Sequence, residues 1–227
     1  MKRRELLSTY LAISLLKQQR LADYLGEHFW NVDLEKALID FGLDRTFPIQ
    51  ILGSESHISG TWLWAWANHQ SQLPEQVTKQ AWWLHQYGKE HRVDIFIQPE
   101  LPVSEVDGHE IAIIASGLCK ADGYYAGNYG NGSAFLLIYG MSKIFEKMEL
   151  RAIEVSGLLS QAISTYEVDH RLLVKSLFGQ LEWQTKQTTL ETTGVSSKKE
   201  EVVVKFDSYN RIAEVEAKID FKPSGLS

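Results

Sequence analysis

The side chains best suited to chemistry in this 227-residue chain are scattered rather than grouped. Its seven histidines fall into no metal-binding spacing. His85 and His91 are six apart, which separates them on a helix, and in the adjacent pairs His109-Glu110 and Asp169-His170 the side chains diverge. No His-Glu-x-x-His, no His-x-His and no second cysteine accompanies them, so neither a metal nor another cofactor is expected. Cys119 lies in an apolar helical stretch and reads as a small buried hydrophobe rather than a reactive thiol. No Gly-x-Ser-x-Gly elbow marks a serine nucleophile, while a triad assembled from distant Ser, His and Asp residues stays open. Gly127-Asn128-Tyr129-Gly130-Asn131-Gly132 lacks the Gly-Lys-Ser/Thr ending of a phosphate loop and leads into a strand, so it reads as a hairpin turn.

Five candidate binding residues remain, near the ends of two predicted hairpins. Trp66 and Asn68 close the first hairpin, His57 sits in its turn beside Glu55, and Asp122 and Tyr125 open the second. If the two hairpins are neighbours, polar and aromatic groups converge there as a ligand pocket requires. Each residue also has a plainer reading: Asn68 as a cap, His57 as part of a solvated turn, Asp122 and Tyr125 as edge-strand packing. Trp62, Trp64 and Trp66 alternate over 61–67 and would share one face of a strand. Burying three indoles removes on the order of 600 Å² from water, ~15 kcal/mol gross, which favours core packing over an exposed platform.

The elements that would hold these residues follow from periodicity. Residues 4–25 read as a helix with a stripe of Leu7, Leu11, Leu15, Ala22 and Leu25, stopped by Gly26. Two short strands fall within 29–41, and a hairpin joins 48–54 to 61–67. A helix follows Pro74 and ends near Gly88. A further helix begins after Ser104, whose pairing with Asp107 resembles a capping box. Residues 121–129 and 133–139 form the second hairpin. Beyond Gly140 the chain is mostly helical to 178, broken near 164–169, and ends in strands at 181–193, 202–206 and 213–221. The fold class is therefore α+β: an antiparallel sheet of hairpins packed against helices, with a C-terminal helix plus three-stranded meander. The expected division is a main lobe of 1–145 and a C-terminal portion of 146–227.

The segment Gly60-Thr61-Trp62-Leu63-Trp64-Ala65-Trp66-Ala67-Asn68 is similar to the signature of a mainly bacterial family of unknown function. The resemblance extends to Phe47-Pro48-Ile49-Gln50-Ile51-Leu52-Gly53-Ser54-Glu55-Ser56, to Gly123-Tyr124-Tyr125-Ala126-Gly127 and to Phe135-Leu136-Leu137. It covers about residues 28–140 and implies a recurring fold without an activity.

Totals narrow the function. A net charge of −6 argues against nucleic acid, whose binders carry a basic face. The first residues are basic and apolar, but Glu5 and the run Lys17-Gln18-Gln19-Arg20 suit an amphipathic helix better than a secretion signal. No run of about 18 apolar residues predicts a membrane span. One cysteine fits a reducing compartment. The expectation is a cytoplasmic, non-enzymatic binding or protein-interaction module with a protein partner. The alternative is a small-molecule enzyme or carrier with its pocket at the hairpin ends.

Overall fold

The computed structural model describes residues 3–145 and 150–218. Two compact units result. The first takes residues 3–7 and 14–145, the second 8–13 and 150–218, so helix α1 (Arg3–Leu25) contributes to both. The buried positions of α1 include Leu7, Leu11, Ser14, Leu21 and Leu25, and Ala22 is exposed. Residues 7, 14, 21 and 25 repeat the helical period, and the polar Ser14 is accepted there because its hydroxyl meets that of Ser116 at 3.1 Å. The expected stripe is corrected accordingly: Ala22 gives way to Leu21.

The first unit is a seven-stranded antiparallel sheet with β3 (Thr46–Ser56) as its spine. β1 (Asn31–Asp33) pairs with β2 (Leu38–Asp40), and β2 pairs with the start of β3. β4 (Thr61–Trp64) pairs with the end of β3, and β5 (Glu100–Pro102) with β4. β6 (Gly123–Asn128) and β7 (Gly132–Ile138) form the second hairpin, and β7 lies along β3. Between β4 and β6 come α2 (Glu75–His91), the single turn α3 (Asp94–Ile97) and α4 (Gly108–Leu118). Helix α4 starts at Asp107, whose carboxylate accepts from Glu110 N at 2.7 Å. Asp107 is thus the cap itself, not the partner of Ser104. A single turn, α5 (Ser142–Phe145), follows β7.

The three-indole ladder is shortened by one. The strand ends at Trp64, and Ala65–Ala67 closes into a 3-10 turn. Trp62 and Trp64 are fully buried and meet edge to face, with centroids 5.3 Å apart. Alternation fixes a face, but a strand continues only while a neighbour supplies hydrogen bonds. The ladder with β3 stops at Gly53, beside a bulge at Leu52, and the ladder with β5 stops at Leu63. Gly53 itself is required: a Cβ there would stand 2.4 Å from Leu63 O and 2.7 Å from the Trp62 ring.

The second unit packs α6 (Ala152–Thr165) and α7 (His170–Gln180) against a four-stranded meander. The strands are β8 (Gln184–Gln187), β9 (Glu191–Val195), β10 (Glu201–Phe206) and β11 (Ile212–Lys218). The break between the helices falls where Asp169 caps α7 through Leu172 N. The expected strand over 181–193 is two elements. Thr188 reads as a β-former, but its hydroxyl accepts from Leu190 N and Glu191 N and turns the chain. The meander therefore has four strands rather than three. Its core is Val202, Val204, Phe206, Phe178, Leu173 and Leu177. In β11 no residue is fully buried and Ala213 is exposed, so the clean alternation expected there is absent. Ile219 and Phe221 lie outside the described residues.

Candidate functional site

The most distinctive surface of the first unit is the outer face of α2. Its inner face, Val77, Ala81, Leu84 and Gly88, is buried. Gln50 of β3 clamps the first turns, donating to Gln76 O at 2.7 Å and accepting from Gln80 N at 3.1 Å. With that side fixed, the adjacent pair Trp82-Trp83 cannot both turn inward. Each remains 44% exposed. Trp83, Tyr87 and His91 follow at i, i+4 spacing and stack in series, with centroid separations of 5.3 Å and 4.1 Å. Trp82 leans on Trp66 and His85, both at 5.9 Å, while Trp66 stacks on His85 at 3.9 Å. His85 is held by Nδ1 donating to Phe96 O at 3.2 Å. Burial, with a smaller contribution from Glu5, raises the Tyr87 hydroxyl above the ordinary phenol range. The face is an aromatic band of two ring clusters, Trp66–Trp82–His85 and Trp83–Tyr87–His91, that offers stacking area and polar ring edges.

The five candidate residues occupy separate settings. Trp66 belongs to the α2 band. Asn68 closes a surface turn, accepting from Ser71 N at 3.1 Å. His57 lies on the exposed β3–β4 turn, where its backbone N donates to Asn131 O and its Nε2 is 3.3 Å from Ser133 Oγ. Glu55 does not complete a triad with that pair, because its carboxylate accepts from Gly108 N at the start of α4. Asp122 caps α5, accepting from Met141 N at 2.8 Å and Ser142 Oγ at 2.7 Å. Tyr125 packs against His28, Trp30 and Phe41, its hydroxyl 3.2 Å from His28 Nε2 and raised by burial. The two hairpins are neighbours, but His57 and Asp122 sit at opposite ends of β7, about 20 Å apart at ~3.3 Å per residue. The hairpin-end pocket therefore does not assemble from these side chains.

Trp82, Trp83, Tyr87 and His91 were not among the sequence candidates. The signal was available: two consecutive tryptophans on a helix, with aromatics continuing at i+4 opposite the aliphatic stripe.

Cys119 closes α4, and burial pushes its thiol up to about 12, away from nucleophilic reactivity. Lys17 donates to Ala121 O at 2.6 Å and is lowered by burial, partly offset by Asp122. Among the described residues no group of three or more His, Cys, Asp or Glu side chains could hold a metal ion. Also among them, no helix is long and apolar enough to cross a membrane.

Fold and surface together define an α+β protein of two antiparallel-sheet units, the first bearing an aromatic helix face. The chain belongs to a family of unknown function, DUF6882, matched over residues 4–141. The match takes in the elements from α1 to β7 and so includes the whole aromatic band. No curated protein and no solved structure matches the chain.

Proposed function

We propose that the protein is a non-enzymatic, cytoplasmic protein-interaction module whose partner docks on the aromatic face of α2. The observation that carries this reading is the half-exposure of Trp82 and Trp83 on a helix clamped along its other side. Trp and Tyr dominate interface hot spots because they bring large area at small entropy cost. Covering the exposed 44% of both indoles removes ~200 Å² from water, ~5 kcal/mol gross before the cost of association. The Trp83–Tyr87–His91 stack fixes its side chains in advance, so little rotamer freedom remains to be lost on docking. The single, unreactive Cys119 thiol suits a reducing compartment.

The test is site-specific photo-crosslinking in cells from Gln86, exposed on the same helix, with a second probe at Lys186 as control. A discrete adduct from position 86, absent from position 186 and lost in the Trp82→Ser/Trp83→Ser variant, is expected. Equal adducts from both positions, or adducts indifferent to the tryptophans, would reject this surface.

A further inference from the structure

We infer that the second unit carries a binding site for a small polyhydroxylated anion, of the sugar-phosphate or sugar-acid class, in the groove at one end of its meander. This site is independent of the α2 face and stands or falls separately.

The groove is shallow and widely open to solvent, with a volume of about 680 Å³, so a ligand there would stay partly in water. It is lined by Arg171, Gln187, Thr188, Thr189 and Asn210. These come from three places brought together by the fold: the first turn of α7, the β8–β9 turn and the β10–β11 turn.

Arg171 gives the groove its charge and is held in place before any ligand arrives. Its Nε donates to Asn210 Oδ1 at 2.6 Å, its Nη2 donates to Thr189 O, and its guanidinium lies 4.2 Å from the Phe206 ring centroid. All three partners are neutral. Among the described residues no carboxylate pairs with Arg171. The nearby turn acid, Asp207, is spent on Arg211 Nε and on the backbone N of Tyr209 and Arg211. The site therefore holds a fixed positive charge that its surroundings position without neutralising. Its two Nη1 protons are without an acceptor among the described residues.

The remaining lining is exposed and keeps its polar groups open to solvent. The Asn210 amide donor, the Gln187 side chain and the Thr189 hydroxyl make no hydrogen bond among the described residues. Amides and hydroxyls around one fixed guanidinium match a ligand with one oxyanion and several hydroxyls. The anion would take the Nη1 protons in charge-assisted bonds, and the hydroxyls would exchange donors and acceptors with Gln187, Thr189 and Asn210. A wholly apolar ligand would leave those groups unpaired, and a bare anion would leave most of the groove unused.

The experiment is a titration of the full chain, followed by the Arg171 Nε–H and Asn210 side-chain amide resonances, with four probes: glucose 6-phosphate, gluconate, glucose and inorganic phosphate. Saturable shifts at both resonances are expected for at least one of the first two probes, and which of them binds tighter identifies the anion. Glucose and inorganic phosphate should each bind at least about tenfold more weakly. Arg171→Met, which keeps an apolar stem over Phe206, should weaken binding by about tenfold or more. Gln187→Ala, on an exposed side chain, should weaken the sugar ligands and leave inorganic phosphate unchanged whatever Arg171→Met does to folding. No saturation by either sugar anion at millimolar concentration would overturn the proposal. So would phosphate binding as tightly as glucose 6-phosphate, or a sugar affinity unmoved by Gln187→Ala.

Discussion

Trp62 and Trp64 are neighbours on one strand, both fully buried and in edge-to-face contact, yet they differ in one respect. Trp64 donates its indole N–H to Ile95 O at 2.9 Å, whereas the Trp62 N–H has no hydrogen-bond partner among the described residues. Replacing each by Phe isolates that difference. Both substitutions shrink a buried ring, at a common cost of roughly 1–2 kcal/mol in transfer and cavity terms. Trp64→Phe also breaks a bond and strands the Ile95 carbonyl, adding about 1–3 kcal/mol. Trp62→Phe deletes an unpaired buried donor, which returns about 1–3 kcal/mol. The expectation is a near-neutral Trp62→Phe and a Trp64→Phe destabilised by about 2–5 kcal/mol. Urea unfolding followed by far-UV circular dichroism measures both, with unchanged denaturant slopes as the sign that unfolding itself is comparable. Equal losses in the two variants, or a larger loss at Trp62, would refute the reasoning.

Gly53→Ala should be among the costliest small substitutions in the chain, about 3 kcal/mol or more by the same assay. The new Cβ meets a backbone carbonyl at 2.4 Å as well as the Trp62 ring, and neither can move aside freely. Alkaline pH should destabilise the protein through Cys119. An unfolded thiol titrates near 9.0, whereas the folded one keeps its proton to about 12. Across that window the unfolded chain holds fewer protons, so stability is full below the lower value and falls as pH rises through the upper one. Midway, Cys119→Ala should remove about 1–2 kcal/mol of the decline in a pH series of urea midpoints. A shallower slope should remain from Tyr139, which is raised mainly by burial.

The candidate sites were less legible than the elements that carry them. Histidine spacing, the missing second cysteine and the glycine-rich 127–132 turn can be judged within a few residues, and those readings need no partner from elsewhere in the chain. Turn chemistry and alternation place Asp122 and Tyr125 at the start of the second hairpin, but what each side chain does depends on Met141, Ser142, Trp30 and Phe41. Arg171 had no local signature. Its groove exists because residues 187–189 and 210 return to the start of α7.

The sequence alone determined the fold class, the two hairpins and the two-helix segment ahead of a C-terminal meander. Those follow from hydrophobic period and turn chemistry, which act over a few residues. Tertiary structure alone decided where β4 stops, because a strand lasts only as long as a neighbour hydrogen-bonds to it. The same long-range pairing sent Trp66 to His85 rather than onto the Trp62–Trp64 face, separated His57 from Asp122 along β7, and left Trp82 and Trp83 outside once Gln50 had fixed the inner side of α2.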